Sequence, residues 1–201
     1  MTHSPTGPEP DALNPVSLVT PRLVLSAGTR ADAEALFPFV HGEVGRQVTD
    51  TLLWDGPDTV EDLDSFFQQH ATGTFAGFGW HWLLRDRTGT LTGTALAPLG
   101  ALGLTDSGTP GRFEIGYWLA PPYWGQRLMG EAISAAVSLA FEAAQCEQVT
   151  AEVFTSNRRG AALLDRQGFQ REGVLPEHHL KRCRRIDAIA FVARRLTWRS
   201  G

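Results

Sequence analysis

The segment "PPYWGQRLMGEA" (121–132) sets Gly125 and Gly130 on either side of Gln126, Arg127, Leu128 and Met129, directly ahead of a run with helical periodicity. The first turn of a helix presents backbone N–H groups without intrahelical acceptors, and aligned peptide dipoles add roughly half a positive charge there. Such a mouth can receive an anion. Gly125, lacking a Cβ, lets a ligand come close to the backbone, and amides from Gln126 to Gly130 are placed to meet it. Arg127 adds a cation where it opposes the dipole, at a cost of about 0.3 kcal/mol or more that a bound anion would relieve. Water could satisfy the same amides.

The elements that must hold this mouth follow from patterning. At 201 residues and 42% hydrophobic, the chain fits one domain. Residues 1 to about 20 carry Pro5, Pro8, Pro10 and Pro15 and are expected as an extended arm, leaving 21–198 as the domain. "RLVLS" (22–26) alternates as a strand, and Thr29 with Asp32 forms the signature of a capping box opening a helix to about Val40. A second helix is expected from Thr59 through Ala71, with Val60, Leu63, Phe66 and Phe67 on its apolar face. Residues 79–102 predict two strands joined by a turn near Asp86–Gly89, and "RFEIGYWLA" a third. From about Gln126 to Ala143, Met129, Ala132, Ile133, Ala136, Val137, Ala140 and Phe141 recur at helical spacing. "QVTAEVF" predicts a strand, 157–168 a short helix stopped by Gly168, and Phe169 and "RIDAIAFVARRL" begin and close a last pair. The order predicts a mixed α/β fold, a mostly antiparallel sheet flanked by helices.

Together "PRLVL", "EIGYWLAPPYWGQRLMGEA", Asn157 eleven residues before Gly168-Phe169, and the closing "EGVLP...IDAIAFVARRL" resemble the Gcn5-related N-acetyltransferases (GNAT), specifically the branch of ribosomal-protein N-terminal acetyltransferases, over roughly 20–197. The resemblance implies the acyl-CoA N-acyltransferase fold and acetyl-CoA as cofactor. Its pyrophosphate would sit on amides of Gln126, Arg127, Leu128, Met129 and Gly130. A V-shaped gap beside the preceding strand would let the pantetheine arm pair with Tyr117, Trp118 and Leu119. Asn157 would bond the pantetheine or adjoining backbone, besides being a natural helix N-cap. Relatives often pair, so a homodimer is compatible. The chain departs from the family where Arg127 replaces a loop glycine, and where Gly160 and Leu164 stand at positions that elsewhere hold a serine or the tyrosine acid.

Acyl transfer from a thioester to an amine needs a neutral amine, a polarised carbonyl and a stabilised thiolate. A backbone N–H near Leu119 could polarise the carbonyl. Glu114, with apolar neighbours that raise its pKa, is the first choice as proton acceptor, although a solvent-facing role is open to it; Tyr117 is either an acid or a packing residue. Trp54, Trp80 and Trp82 could form an acceptor-side wall, as these regions do in the family, or pack in the core. His178 and His179 are expected in an exposed loop. Cys183 has no visible partner as a nucleophile, and Asp187 is expected in a structural hydrogen bond. With Cys146 and Cys183 alone and no zinc-like spacing, neither a disulfide framework nor a metal is expected. "KRCRR" (181–185) predicts a solvated loop, with an acidic tail or nucleic acid as other occupants; at net charge -4, no nucleic-acid partner is expected. Lacking a signal peptide or an 18-residue apolar run, the chain is expected to be cytoplasmic without a membrane partner. The expected function is acetyl transfer to a small-molecule or peptide amine. The alternatives are a longer acyl donor such as succinyl-CoA, its extra carboxylate held by Arg127 or 181–185, and a CoA- or peptide-binding module without catalysis, prompted by the missing serine and tyrosine.

Overall fold

Trp80, Trp82, Leu84, Leu102 and Leu104 alternate onto one heavily packed face, while Ala101 and Gly103 leave room on the other. In the computed structural model, which describes residues 17–71, 79–143 and 146–199, eight strands form one sheet. They are β1 (Leu18–Val19), β2 (Leu23–Ser26), β3 (Gly79–Asp86), β4 (Pro98–Asp106), β5 (Arg112–Leu119), β6 (Gln148–Phe154), β7 (Gln170–Lys181) and β8 (Arg184–Arg194). Their spatial order is β1-β2-β3-β4-β5-β6-β8-β7, and only β5 and β6 run parallel. The helices are α1 (Arg30–Leu36), α2 (Gly42–Thr49), α3 (Val60–Ala71), α4 (Leu128–Ala143) and α5 (Arg158–Arg166). This is the mixed α/β architecture expected from the pattern.

The expected stripe of α4, including Met129, Ala132, Ile133, Ala136 and Val137, is buried with Leu102, Leu104 and Ile115 of the sheet. Leu83 has the opposite parity in β3 and joins Leu36, Val40, Leu63 and Phe67 in a smaller core on the other face. The α4 side of the sheet is filled; the α1–α3 side is where space remains.

Several boundaries differ from expectation for local reasons. Most of the expected arm, residues 1–16, lies outside the described residues, but Leu18 and Val19 already pair with Leu25 and Val24. The capping box at Thr29 and Asp32 is present, yet α1 stops at Leu36 and a 3-10 turn, Phe37–Phe39, carries Pro38 in place of the expected run to Val40. Helix α2 has no counterpart in the expectation. Two glycines disguise it: Gly42 sits at φ +61°, and a Cβ on Gly45 would come within 2.3 Å of the Val40 carbonyl carbon. The turn expected near Asp86–Gly89 is a longer loop, 87–97, gathered around the buried Asp86, whose carboxylate accepts the N–H groups of Gly89, Leu91 and Thr92. His178 and His179 are not in a loop but in β7.

The "KRCRR" run is not a solvated loop throughout. Lys181 is 5% exposed, lies 2.6 Å from Asp55 Oδ1 and donates to the Trp54 carbonyl at 2.8 Å. Arg182 pairs with Asp50 and Asp55. The β7–β8 turn thereby fixes the segment from Thr51 to Trp54 from below.

Asp32 links α1 to the sheet through a two-point ion pair with Arg85, at 2.6 and 2.8 Å, both side chains being largely buried. Burial pushes its carboxyl up, but hydrogen bonds from Arg85 and Thr29 outweigh that and hold it below the usual range. Asp32→Ala strands the Arg85 guanidinium and is expected to destabilise the fold by about 3 kcal/mol in denaturant unfolding. Because the folded pKa is depressed, the contribution of Asp32 is full above its unfolded value and lost as pH falls through the folded one. The acid unfolding of the variant should therefore be correspondingly less steep.

Candidate functional site

The site begins where two strands part. β5 pairs with β4 along its length, from Phe113↔Asp106 to Leu119↔Gly100. It pairs with β6 only at Arg112, Glu114 and the residue between them, after which β6 follows β8 alone. From Ile115 to Leu119, the β6-facing N–H and C=O groups of β5 have no ladder partner, as the V-shaped gap requires.

Beyond β5, Pro121–Tyr123 make a 3-10 turn, and Trp124 Nε1 donates to the Leu119 carbonyl at 2.6 Å, holding the junction closed. Gly125 (φ +77°) and Arg127 (φ +61°) both take left-handed backbone, and α4 then starts at Leu128, two residues later than expected. Arg127 thus accepts the conformation that a glycine would adopt freely, at about 1 kcal/mol of strain. The Glu131 N–H donates to the Arg127 carbonyl at 3.3 Å, so the amides ahead of it in the first turn lack helical acceptors. Glu131 is an acid in that turn, which the expectation of an uncapped mouth overlooked. It turns outward: its carboxylate accepts Thr20 Oγ1, the Arg22 N–H and Arg22 Nε, while Arg22 Nη1 donates to the Gln126 carbonyl. Burial raises the Glu131 carboxyl, and these bonds more than reverse it. The mouth stays free of the anion its own sequence carries.

On the α1–α3 side of the sheet, a cavity of about 510 Å³ opens next to the gap. Register builds its floor, with Leu83, Ala101 and Trp118 in one row, His81, Gly103 and Gly116 in the next, and Thr105 beside Glu114. Small residues make the room. A Cβ on Gly103 would come within 2.6 Å of the His81 ring, and one on Gly116 would meet nothing within 4 Å. α3, the tethered segment 51–54, Glu152 and Phe154 of β6, and His179 supply the walls.

Glu114 lines this cavity and remains an exposed residue of β5, so the solvent-facing alternative stays open beside the cavity role. It is accessible from the cavity, yet the protein around it desolvates the carboxyl and raises its pKa; Glu152 raises it further and His179 opposes. Tyr117 touches the cavity at its edge but has the opposite parity to Glu114 and Trp118 and packs against the α4-side core; its hydroxyl is buried with no hydrogen-bond partner, and burial drives its pKa upward. Trp118 forms part of the floor and Trp54 of the wall, 6.4 Å apart between ring centroids. Of the other tryptophans considered, Trp80 and Trp82 both pack in the α4-side core, stacked on each other, with Trp80 also against Phe113 and Trp82 at the edge of the cavity. Asn157 is the N-cap of α5: its Oδ1 accepts the Gly160 N–H at 2.9 Å. Asp187 makes the structural bond expected of it, accepting the Glu177 N–H. Cys183 is exposed on the β7–β8 turn.

Glu152, His81 and His70 enter the site without having been singled out, and His178 and His179 join them from β7. Glu152 stands two residues after Thr150, which pairs with Glu114, and the period-2 rule places it on the same face. His179 Nε2 lies 2.6 Å and His178 Nε2 3.3 Å from Glu152 Oε2. Neighbouring strand residues ordinarily point apart; a register shift between Leu175 and His179, with Glu177 at φ +51°, lets both histidines converge. His81 faces His70 with ring centroids 3.9 Å apart, and burial, aided by His70, pushes it down to about 3.

Residues 22–170 match the acetyltransferase (GNAT) domain family. The chain is 33% identical over 162 residues to the uncharacterized N-acetyltransferase YoaA of Bacillus subtilis, covering 80% of this chain and 86% of that protein. Among solved structures it is similar to a ribosomal-protein-serine acetyltransferase described as putative, from Vibrio cholerae (21% identity, TM-score 0.71, 90% and 98% covered). It is also similar to the microcin C7 self-immunity acetyltransferase MccE, solved in complex with acetyl-CoA and AMP (16% identity, TM-score 0.76, 92% and 99% covered).

Proposed function

The chain belongs to the acetyltransferase (GNAT) family, and from that premise we propose that it transfers an acetyl group from acetyl-CoA directly to a primary amine in the cavity beside β5. The observation that carries this is the parting of β5 from β6 after Glu114, which exposes unpaired strand backbone between an open helix mouth and an acidic, aromatic cavity.

The residues fit the coenzyme. Amides of Gln126, Arg127, Leu128, Met129 and Gly130 receive its diphosphate, with Gly125 admitting it close to the main chain. Backbone of Tyr117, Trp118 and Leu119 pairs with the pantetheine arm in the manner of a missing strand. Asn157 contributes through Nδ2, since Oδ1 is engaged by Gly160. Acetyl-CoA supplies the acyl group as a thioester, already activated toward an amine. Glu114 takes the proton of the incoming ammonium, its raised pKa bringing it closer to the range where such a transfer is useful. Tyr117 holds a buried neutral hydroxyl that can donate to the departing sulfur, filling the role that Gly160 and Leu164 cannot. Lys181 and Arg182 are committed to Asp55 and Asp50, which argues against that run binding the second carboxylate of a succinyl donor.

Among the described residues, no helix is long and apolar enough to cross a membrane. Free Cys146 and Cys183 are compatible with a reducing compartment, and we place the enzyme in the cytoplasm.

Acetyl-CoA at a hundredfold excess over its Kd is expected to stabilise the protein by about 2.7 kcal/mol in thermal unfolding. Free thiol should accumulate when an amine panel is added. Absence of stabilisation defeats the coenzyme assignment; stabilisation without thiol release on any amine leaves a binding module.

A further inference from the structure

We propose that the amine acceptor is a small, singly charged arylalkyl amine with no acidic group, its ring held in the cavity between α3 and the β3–β5 face. This rests on the acetyl-transfer reading above and narrows it.

Charge excludes the commoner amines. Among the described residues lining the cavity there is no lysine or arginine; its ionisable groups are Glu114, Glu152, His70, His81 and His179. Burial favours the neutral form of both His70 and His81. His179 lies against Glu152 and opposes the rise at Glu114, and His178 reaches the same Glu152 oxygen from outside the cavity lining. Two carboxylates thus share a partly desolvated wall, which an incoming ammonium would complement and a substrate carboxylate or phosphate would meet as a like charge. Free amino acids and nucleotide conjugates carry such a group.

Shape selects the body. Phe66 is 41% exposed on α3, stacked on Trp54 at 6.4 Å, with the Trp118 ring 6.4 Å from Trp54 on the far side. Phe154 and Leu52 continue this surface. Exposed rings converging on one volume gain by covering an apolar body, and about 510 Å³ lies within the ordinary range for small-ligand sites. In the transfer, the ammonium gives one proton to Glu114, the neutral nitrogen attacks so that the N–C bond forms as the thioester C–S bond breaks, the sulfur leaves with a proton from Tyr117, and Tyr117 recovers a proton from the acylated nitrogen.

The test uses the full chain and tryptophan fluorescence, which Trp54 and Trp118 report from the cavity, with and without acetyl-CoA. Phenethylamine is expected to bind at least about tenfold more tightly than phenylalanine, with phenylalaninamide between them because it lacks the carboxylate. Acetyl transfer should rank the three in the same order. Gly116→Leu, which projects into open cavity, should abolish phenethylamine binding while acetyl-CoA still stabilises the protein; Phe66→Ala, at an exposed position, serves if that variant fails to fold. Equal or tighter binding of phenylalanine, or preference for putrescine or for a peptide beginning with phenylalanine, overturns the proposal. The amine ranking without any transfer would instead remove the acetyl-transfer reading and leave the ligand class standing.

Discussion

Glu114→Gln is expected to lower kcat/KM by about 100-fold or more while leaving acetyl-CoA affinity unchanged. The carboxyl lines the acceptor cavity beside the gap, and the amide that replaces it keeps shape and hydrogen bonding but takes no proton. The pH profile carries an independent signature. A base must be ionised to work, and desolvation followed by the Glu152 charge holds Glu114 above the ordinary carboxyl value, with His179 pulling the other way. Activity is therefore lost as pH falls through this raised value, and the acid limb of kcat/KM lies at higher pH than an isolated glutamate would give. Glu152→Gln removes the like charge and should move that limb toward lower pH, whereas Glu114→Gln should abolish it. Steady-state rates across pH check both; turnover of Glu114→Gln equal to the parent removes the residue from the role of base.

Tyr117→Phe separates two outcomes that usually move together. The hydroxyl is buried without a partner, and such a group costs about 1–3 kcal/mol, so its removal should raise stability by about 1 kcal/mol. If the same hydroxyl serves the leaving sulfur, kcat should fall by about 10-fold to 100-fold. Its pKa is driven up by burial alone, so the group remains neutral and able to donate across the working range. Greater stability with undiminished kcat would make Tyr117 a packing residue only.

The parts legible in the sequence were those governed by local rules. The Thr29–Asp32 box, the α4 stripe and the glycine ending α5 each follow from a few neighbouring residues, and each is present. The junction at 121–130 was legible because glycine spacing constrains backbone directly, and even the oddity of Arg127 translated into a left-handed φ of +61°. Long-range or irregular features did not show. Helix α2 hides behind two glycines, Gly42 held at φ +61° and Gly45 pressed against the Val40 carbonyl, residues that weaken the helical pattern of so short a segment. The paired histidines depend on a bulge that no alternation rule reveals from one strand alone. Lys181 looked like part of a solvated cluster because Asp55, its partner, lies in a distant loop.

The chain order of the strands has a consequence for how the enzyme is made. β8, which follows β7 in the chain, is inserted between β6 and β7, and the Lys181 ammonium meets the Trp54 carbonyl across 127 positions of sequence. A nascent chain can complete the hairpins of β2–β5 early, but the wall bearing Trp54 is locked only after Lys181 at the end of β7 has emerged. Under the proposed function, the coenzyme site can thus form before the acceptor cavity during biosynthesis, and a nascent enzyme of this design would be quiescent toward amines until the β7–β8 hairpin docks.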